Sequence, residues 1–124
     1  MDPAALIERY NRAWNDHDVD TIMSMHTPDM VFHNHTRDVR VEGAEVRPLL
    51  ESTFAEQPDL RLRGRGSYFG DDFAICEWTA TASDAEGREI EWDGVDIFPL
   101  RGGLIARKDV YSSSHAPRVV DREG

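Results

Sequence analysis

The chain has 124 residues, with 14 basic against 24 acidic side chains and a formal net charge of −10. That length suits one domain around one core. The negative field excludes nucleic acid and anionic membrane as main partners, since both attract positive charge.

The N-terminal half reads as helices. Asp2 caps a helix whose first position is Pro3, and Leu6, Ile7, Tyr10, Ala13 and Trp14 recur along it as an apolar stripe. Asp18 caps a second, short helix, VDTIMSMHT, which Pro28 closes. MVFHNHT follows as a strand. VEGAEVRPLLESTFAEQPD is a third helix, with Pro48 near its start and Gln57-Pro58 at its end. Four strands come next: DLRLRGRGSYF, FAICEWTATAS, REIEWDGVDIFPL and LIARKDVYSSS, joined by the turns GDD, DAEG and RGG. One domain therefore spans residues 1–124, with about 116–124 as a C-terminal tail. Helices followed by a run of strands indicate an α+β fold, helices packed on one face of an antiparallel sheet.

The single cysteine, Cys76, sits in an apolar stretch and is expected in the core. No intrachain disulfide can form, which fits a reducing cytoplasm. MDPAALIERY lacks the basic and apolar regions of a signal peptide, and no apolar run is long enough for a membrane span. A cytoplasmic protein is expected.

The segment EIEWDGVDIF, residues 89–98, carries Asp93 and Asp96 three apart, so in a strand they point to opposite faces. Trp92, Gly94, Asp96 and Phe98 share one face. An aspartate on a covered face is either paired or chemically active. A carboxylate between Trp92 and Phe98 is poorly solvated, which makes it a better base near neutral pH. The competing reading is a structural aspartate paired with an arginine such as Arg63 or Arg107.

PDMVFHN after the second helix, PDLRLR after the third, and GREIEWDGVDIFPLRGGLIARKDVY carry a family resemblance in their order and spacing. Over about residues 3–115 the chain resembles the SnoaL-like polyketide cyclase group of the nuclear transport factor 2-like superfamily, which shares its fold with ketosteroid isomerases and limonene-epoxide hydrolases. The resemblance implies a curved antiparallel sheet wrapped on three N-terminal helices, a cone with an internal pocket, and a homodimer formed through the sheet. It turns Asp96 toward the pocket as general acid/base. It also places Phe32 and Asn34 inward, with Asn34 able to hold an enolate oxygen, and makes the first helix a roof that offers Trp14 and the Tyr10 hydroxyl, with His17 at the mouth.

Other residues keep two readings. Tight pairing across DAEG sets Glu77 and Thr79 on the face of Trp92, where Glu77 is either a partner carboxylate for Asp96 or a rim acid in water. Glu77 and Thr79 stand where epoxide hydrolases of this fold carry an arginine and an aspartate, a departure that counts against their mechanism. His33 and His35 would face outward unless a bulge reverses them, and His33 stays a proton-carrier candidate. These histidines with His26 and Asp29 lack a clear third ligand at a known metal spacing, so no metal is expected. Asp109 and Tyr111 lie in ARKDVY, where epoxide hydrolases carry a catalytic aspartate, but the chain is one residue short of that pattern. Asp109 is then a pocket carboxylate or part of a Lys108/Asp109 surface pair. Arg61, Arg63 and Arg65 alternate along one strand as a wet face.

Together these features lead us to expect an enzyme without cofactor that abstracts a proton next to a carbonyl in an apolar or polyketide-like small molecule, by cyclisation, isomerisation or dehydration. Asp96, Asn34, Tyr10, His33 and Asp109 are its candidate catalytic residues. Trp14, Phe32, Glu77, Thr79, Trp92, Phe98 and Tyr111 are its candidate substrate contacts. The alternatives are epoxide-type hydrolysis, with water activated by Asp96 or Asp109, and a non-catalytic ligand-binding or dimerisation module.

Overall fold

The Asp2 carboxylate accepts the Ala5 N–H at 2.8 Å and Pro3 takes the first helical position, so helix α1 (Pro3–Asn15) starts where its sequence directs. Its stripe of Leu6, Ile7, Tyr10, Ala13 and Trp14 is buried. Asp18 caps α2 (Val19–Ser24) through the Thr21 N–H. These observations come from a computed structural model, which describes residues 2–120.

Helix α2 ends before Pro28 is reached. Met25 caps it, and β1 (His26–Asn34) begins at once because His26 pairs with Ile105 while Met25 C=O accepts the Ile105 N–H at 2.8 Å. Pro28 falls inside β1, within an interruption of the ladder between His26 and Val31, where a missing N–H takes nothing from the pairing. A second correction follows. Val39–Glu42 is a strand, β2, paired antiparallel to β1, so Val41 and Glu42 belong to it rather than to the start of the third helix. A single 3₁₀ turn, Gly43–Glu45, leads into α3 (Val46–Glu56), with Pro48 in its first turn.

The remaining strands are β3 (Arg61–Phe69), β4 (Phe73–Ser83), β5 (Glu89–Arg101), β6 (Leu104–Ser112) and a short β7 (Arg118–Val119). The curved, unclosed sheet runs β2-β1-β6-β5-β4-β3, with β7 paired to β5. It is mixed, because β1 and β6 are parallel. Its inner face presents Ala74, Cys76, Trp78, Ala80, Phe98, Ile105 and Val110 to the buried faces of α1 and α3, and this is the core. Cys76 is a buried core residue.

Strand β7 lies in the segment expected to be a tail; of that tail, residues 121–124 lie outside the described residues. Arg118 holds it down, donating to Asp93 at 2.9 Å and to Glu91 at 3.0 Å, and the Thr79 hydroxyl donates to Asp93 at 2.8 Å. The Arg118 guanidinium first, then the Thr79 hydroxyl, draw the Asp93 carboxyl from 3.8 down to about 2. A depressed folded value adds stability above the unfolded value and loses it as pH falls through the folded one. Thermal melts between about pH 5 and pH 2 should therefore fall more steeply for the wild type than for Asp93→Asn. Parallel curves would remove this clasp from the acid response.

Candidate active site

Between the inner face of the sheet and helices α1 and α3 lies a cavity of about 700 Å³. Trp14, Phe32, Leu49, Leu60, Leu62, Trp78, Ile90 and Trp92 give it apolar walls. Arg37 and Glu56, both exposed, mark where it reaches the surface. Two charged side chains of adjacent strands also line it, Asp96 on β5 and Lys108 on β6. Each is at least nine-tenths buried.

The Lys108 Nζ lies 3.8 Å from Asp96 Oδ2, an ion-pair distance beyond hydrogen-bond reach. Four rings surround it, with centroids 3.8 Å away at Trp14, 5.0 Å at Tyr10, 5.4 Å at Phe32 and 5.7 Å at Phe98. Asp96 Oδ1 and the indole nitrogens of Trp14 and Trp78 are buried without hydrogen-bond partners among the described residues. Burial pushes the Asp96 carboxyl above its ordinary pKa, against the pull of the Lys108 charge. The same burial pushes the Lys108 ammonium below its ordinary value, against the pull of Asp96. Both shifts bring the two groups closer to sharing one proton.

Behind this pair, the Tyr10 hydroxyl and His26 Nε2 lie 3.0 Å apart in a buried hydrogen bond. Burial, and after it the Lys108 charge, lowers His26 from 6.5 to about 3, so its imidazole is neutral at neutral pH. Tyr10 is fully buried with its hydroxyl already engaged, and it lies behind the cavity wall rather than on it. Phe98 lies behind the wall too, packed edge-on against Tyr10. His17 stacks on Phe54 and bonds the Leu60 carbonyl.

Asp96, Asn34, Trp14, Phe32 and Trp92 all line the cavity. The Asn34 side-chain oxygen accepts the Arg37 N–H at 3.1 Å, which leaves its amide N–H groups as donors. Glu77 and Thr79 do not line it. Cys76 pairs with Asp96 and Ala80 with Trp92, so Glu77 and Thr79 alternate to the outer face. The cause lies in the turn. Asp84 accepts the N–H groups of Glu86 and Arg88, building a five-residue loop, and the first pair is Ser83 with Glu89. One residue more than DAEG reverses every side chain of β4 against β5.

Asp109, His33 and Tyr111 also lie on the outer face. Asp109 accepts two hydrogen bonds from Arg107, at 2.8 and 2.9 Å, and pairs with His35 Nε2 at 2.7 Å. His35 is stacked between His33 and Tyr111. Asp109 is thus neither a pocket carboxylate nor a partner of Lys108, and Arg107 is not the partner of Asp96. Arg63 is exposed on β3. His33, His35 and Asp109 bring potential metal-ligand atoms within 4.8 Å of one another. Arg107 engages both oxygens of Asp109, and its positive charge there opposes a cation.

Lys108 is a cavity-lining residue that the sequence reading considers only as half of a possible surface pair with Asp109. Its inward turn comes from a bulge in β6. Leu100 pairs with Ile105, but Ile97 pairs with Asp109, so between these pairs β6 has three residues, Ala106 to Lys108, against two of β5, and the register shifts by one. Continued without the shift, the Leu100–Ile105 register would set Asp109 opposite Asp96 and turn Lys108 outward. A signal was present in the composition: Lys108 is the single lysine among 14 basic residues.

The SnoaL-like domain model matches residues 7–108 of this chain. Among solved structures, SalBIII, an epoxide hydrolase/cyclase-like enzyme in pyran ring formation in the polyether salinomycin, superposes with a TM-score of 0.82 at 19% identity, covering 94% of this chain and 95% of its own. IdmH from Streptomyces antibioticus, a candidate polyketide cyclase, gives 0.82 at 18% identity over 93% of this chain and 94% of its own. TerC, co-crystallised with polyporic acid, gives 0.82 at 18% identity over 91% and 92%. At these identities the likeness shows the fold. A search of curated protein sequences gives no match.

Proposed function

The chain belongs to the SnoaL-like domain family, and from that premise we propose that it is a small-molecule enzyme without cofactor, using Asp96 as general acid/base on an apolar carbonyl compound. The observation that carries this reading is a buried carboxylate, one oxygen unpartnered, in the lining of a cavity of about 700 Å³ whose apolar walls include Trp14, Phe32, Trp78 and Trp92. Such volume accommodates a drug-sized ring system. The ionised carboxylate takes the proton next to the carbonyl, and burial makes it a stronger base than an aspartate in water. The Asn34 amide N–H groups on the wall suit the enolate oxygen that develops, and the Lys108 cation lowers the cost of the negative charge. The carbanion then closes a ring or is reprotonated elsewhere. The names of SalBIII and IdmH, which associate this fold with ring formation and polyketides, agree with that substrate class.

Incubating the protein with 2-tetralone in D₂O tests the reading. The α-protons should exchange faster than in buffer alone, and Asp96→Asn should lower the catalysed rate by about 10²–10⁴-fold. A variant that exchanges as fast as the wild type would remove Asp96 from the chemistry.

A further inference from the structure

Thirteen of the fourteen basic residues are arginine, and the one amine side chain is the buried one. A guanidinium at this position would stay protonated at any physiological pH, whereas an amine can shed its proton and attack carbon. The Lys108 nitrogen faces a carboxyl at 3.8 Å and is ringed by Trp14, Tyr10, Phe32 and Phe98. It shares its cavity with apolar walls of a size to hold a ring compound.

We propose that Lys108 is a covalent catalyst, whose amine condenses with the carbonyl carbon of an apolar aldehyde or ketone to form an iminium, with Asp96 as the proton carrier. This rests on the acid/base reading of Asp96 and deepens it. The neutral amine adds to the carbonyl carbon, and the C–N bond forms as the carbonyl π pair moves to oxygen. Protonated Asp96 gives that oxygen its proton and recovers one from the nitrogen, leaving a neutral carbinolamine. Asp96 then protonates the hydroxyl, the C–O bond breaks, and water leaves. The products are the iminium and an Asp96 carboxylate, which is positioned to take the adjacent C–H proton and give an enamine. No oxidant, reductant or second reactant is needed.

Three features support this route. Burial lowers the proton affinity of the amine and raises that of the acid, which favours the neutral pair that starts the sequence. The rings that surround the ammonium can stabilise an iminium cation in the same place. They also exclude water, which favours loss of water in the condensation.

The test uses 2-naphthaldehyde with sodium cyanoborohydride at neutral pH, followed by peptide mass mapping. Hydride reduces any iminium to a stable secondary amine. The lysine being unique, a label falls on Lys108 or on the chain's N-terminal amine. Lys108 should be labelled in the native protein faster than in the urea-unfolded chain, by about tenfold for each unit by which its pKa falls. Asp96→Asn should slow labelling at Lys108 and leave the N-terminal label unchanged. A label confined to the N-terminal amine, or slower labelling of Lys108 in the native than in the unfolded chain, overturns the proposal. The deuterium-exchange assay separates the two readings. Exchange that depends on Asp96 with Lys108 unlabelled would leave a non-covalent base and end the iminium route. Loss of both would end the acid/base reading as well.

Discussion

Asp96→Asn should unfold about 3–5 kcal/mol more easily than the wild type at neutral pH, as expected when one partner of a buried ion pair is removed. The variant keeps the shape of the side chain, so little packing is lost. It leaves Lys108 among four aromatic rings with no carboxylate beside it. Folding must then bury an uncompensated ammonium or strip its proton. The deficit should fade as pH falls through the raised Asp96 pKa, where the wild-type carboxyl is itself neutral, and should shrink again as pH rises toward the unfolded lysine value of about 10.4. Replacing both partners, Asp96→Leu with Lys108→Met, removes the desolvation penalty and should restore wild-type stability or exceed it by about 1–4 kcal/mol. Urea melts of the two variants across pH decide the matter. If the double variant is as unstable as Asp96→Asn, the pair is not what the single change breaks.

Gly94→Ala should lower stability by about 1–3 kcal/mol, the range expected for overpacking a filled core. Gly94 is opposite Trp78 in the β4–β5 ladder, and a Cβ there would stand 2.3 Å from Trp78 Cζ2 and Cη2 and 2.8 Å from Cε2. Two atoms cannot share that space, so the indole must rotate or the strands must part. Trp78 is a cavity wall, so its displacement would also reshape the site and change binding of an apolar probe. The coupling can be read directly. Trp78→Ala removes the obstacle, so the cost of Gly94→Ala measured in that background should largely vanish. Equal costs in both backgrounds would show that the glycine is required for another reason.

Periodicity revealed most of the elements, because each reports a local rule. Asp2-Pro3 starts a helix by capping, and the alternation in EIEWDGVDIF separates Asp93 from Asp96 by the pleat alone. The outcome for that pair is physically sharp. Asp93 meets Arg118 on the outer face and is held strongly ionised, while Asp96 on the inner face is pushed toward its neutral form. What the sequence hid was relative register. Whether Glu77 faces the cavity depends on whether Arg88 belongs to the turn, and that is settled by the hydrogen bonds of Asp84. Whether Asp109 or Lys108 turns inward depends on one extra residue in β6 between Ile105 and Asp109. Each error is one residue long and reverses a whole strand face. Helix α2 and strand β2 were misjudged for a different reason. His26 and Val39–Glu42 take their conformation from partners distant in sequence or across a hairpin, which local propensity does not register.

The order of the sheet also governs when this protein can fold. Among the described residues, β6 is the one strand hydrogen-bonded to both β1 and β5, so it joins the N-terminal hairpin to the β3–β5 meander. Helix α1 packs directly on β3 and β4, but within the sheet the two halves are joined only when this segment near the C-terminal end is in place. Such pairing across most of the chain has a high loop-closure cost and slows folding. Lys108 rides on that same late strand. Until it docks, Asp96 on the neighbouring strand has no cation beside it. Docking of β6 therefore completes the sheet and the charge pair together, and a chain stalled before β6 would lack both.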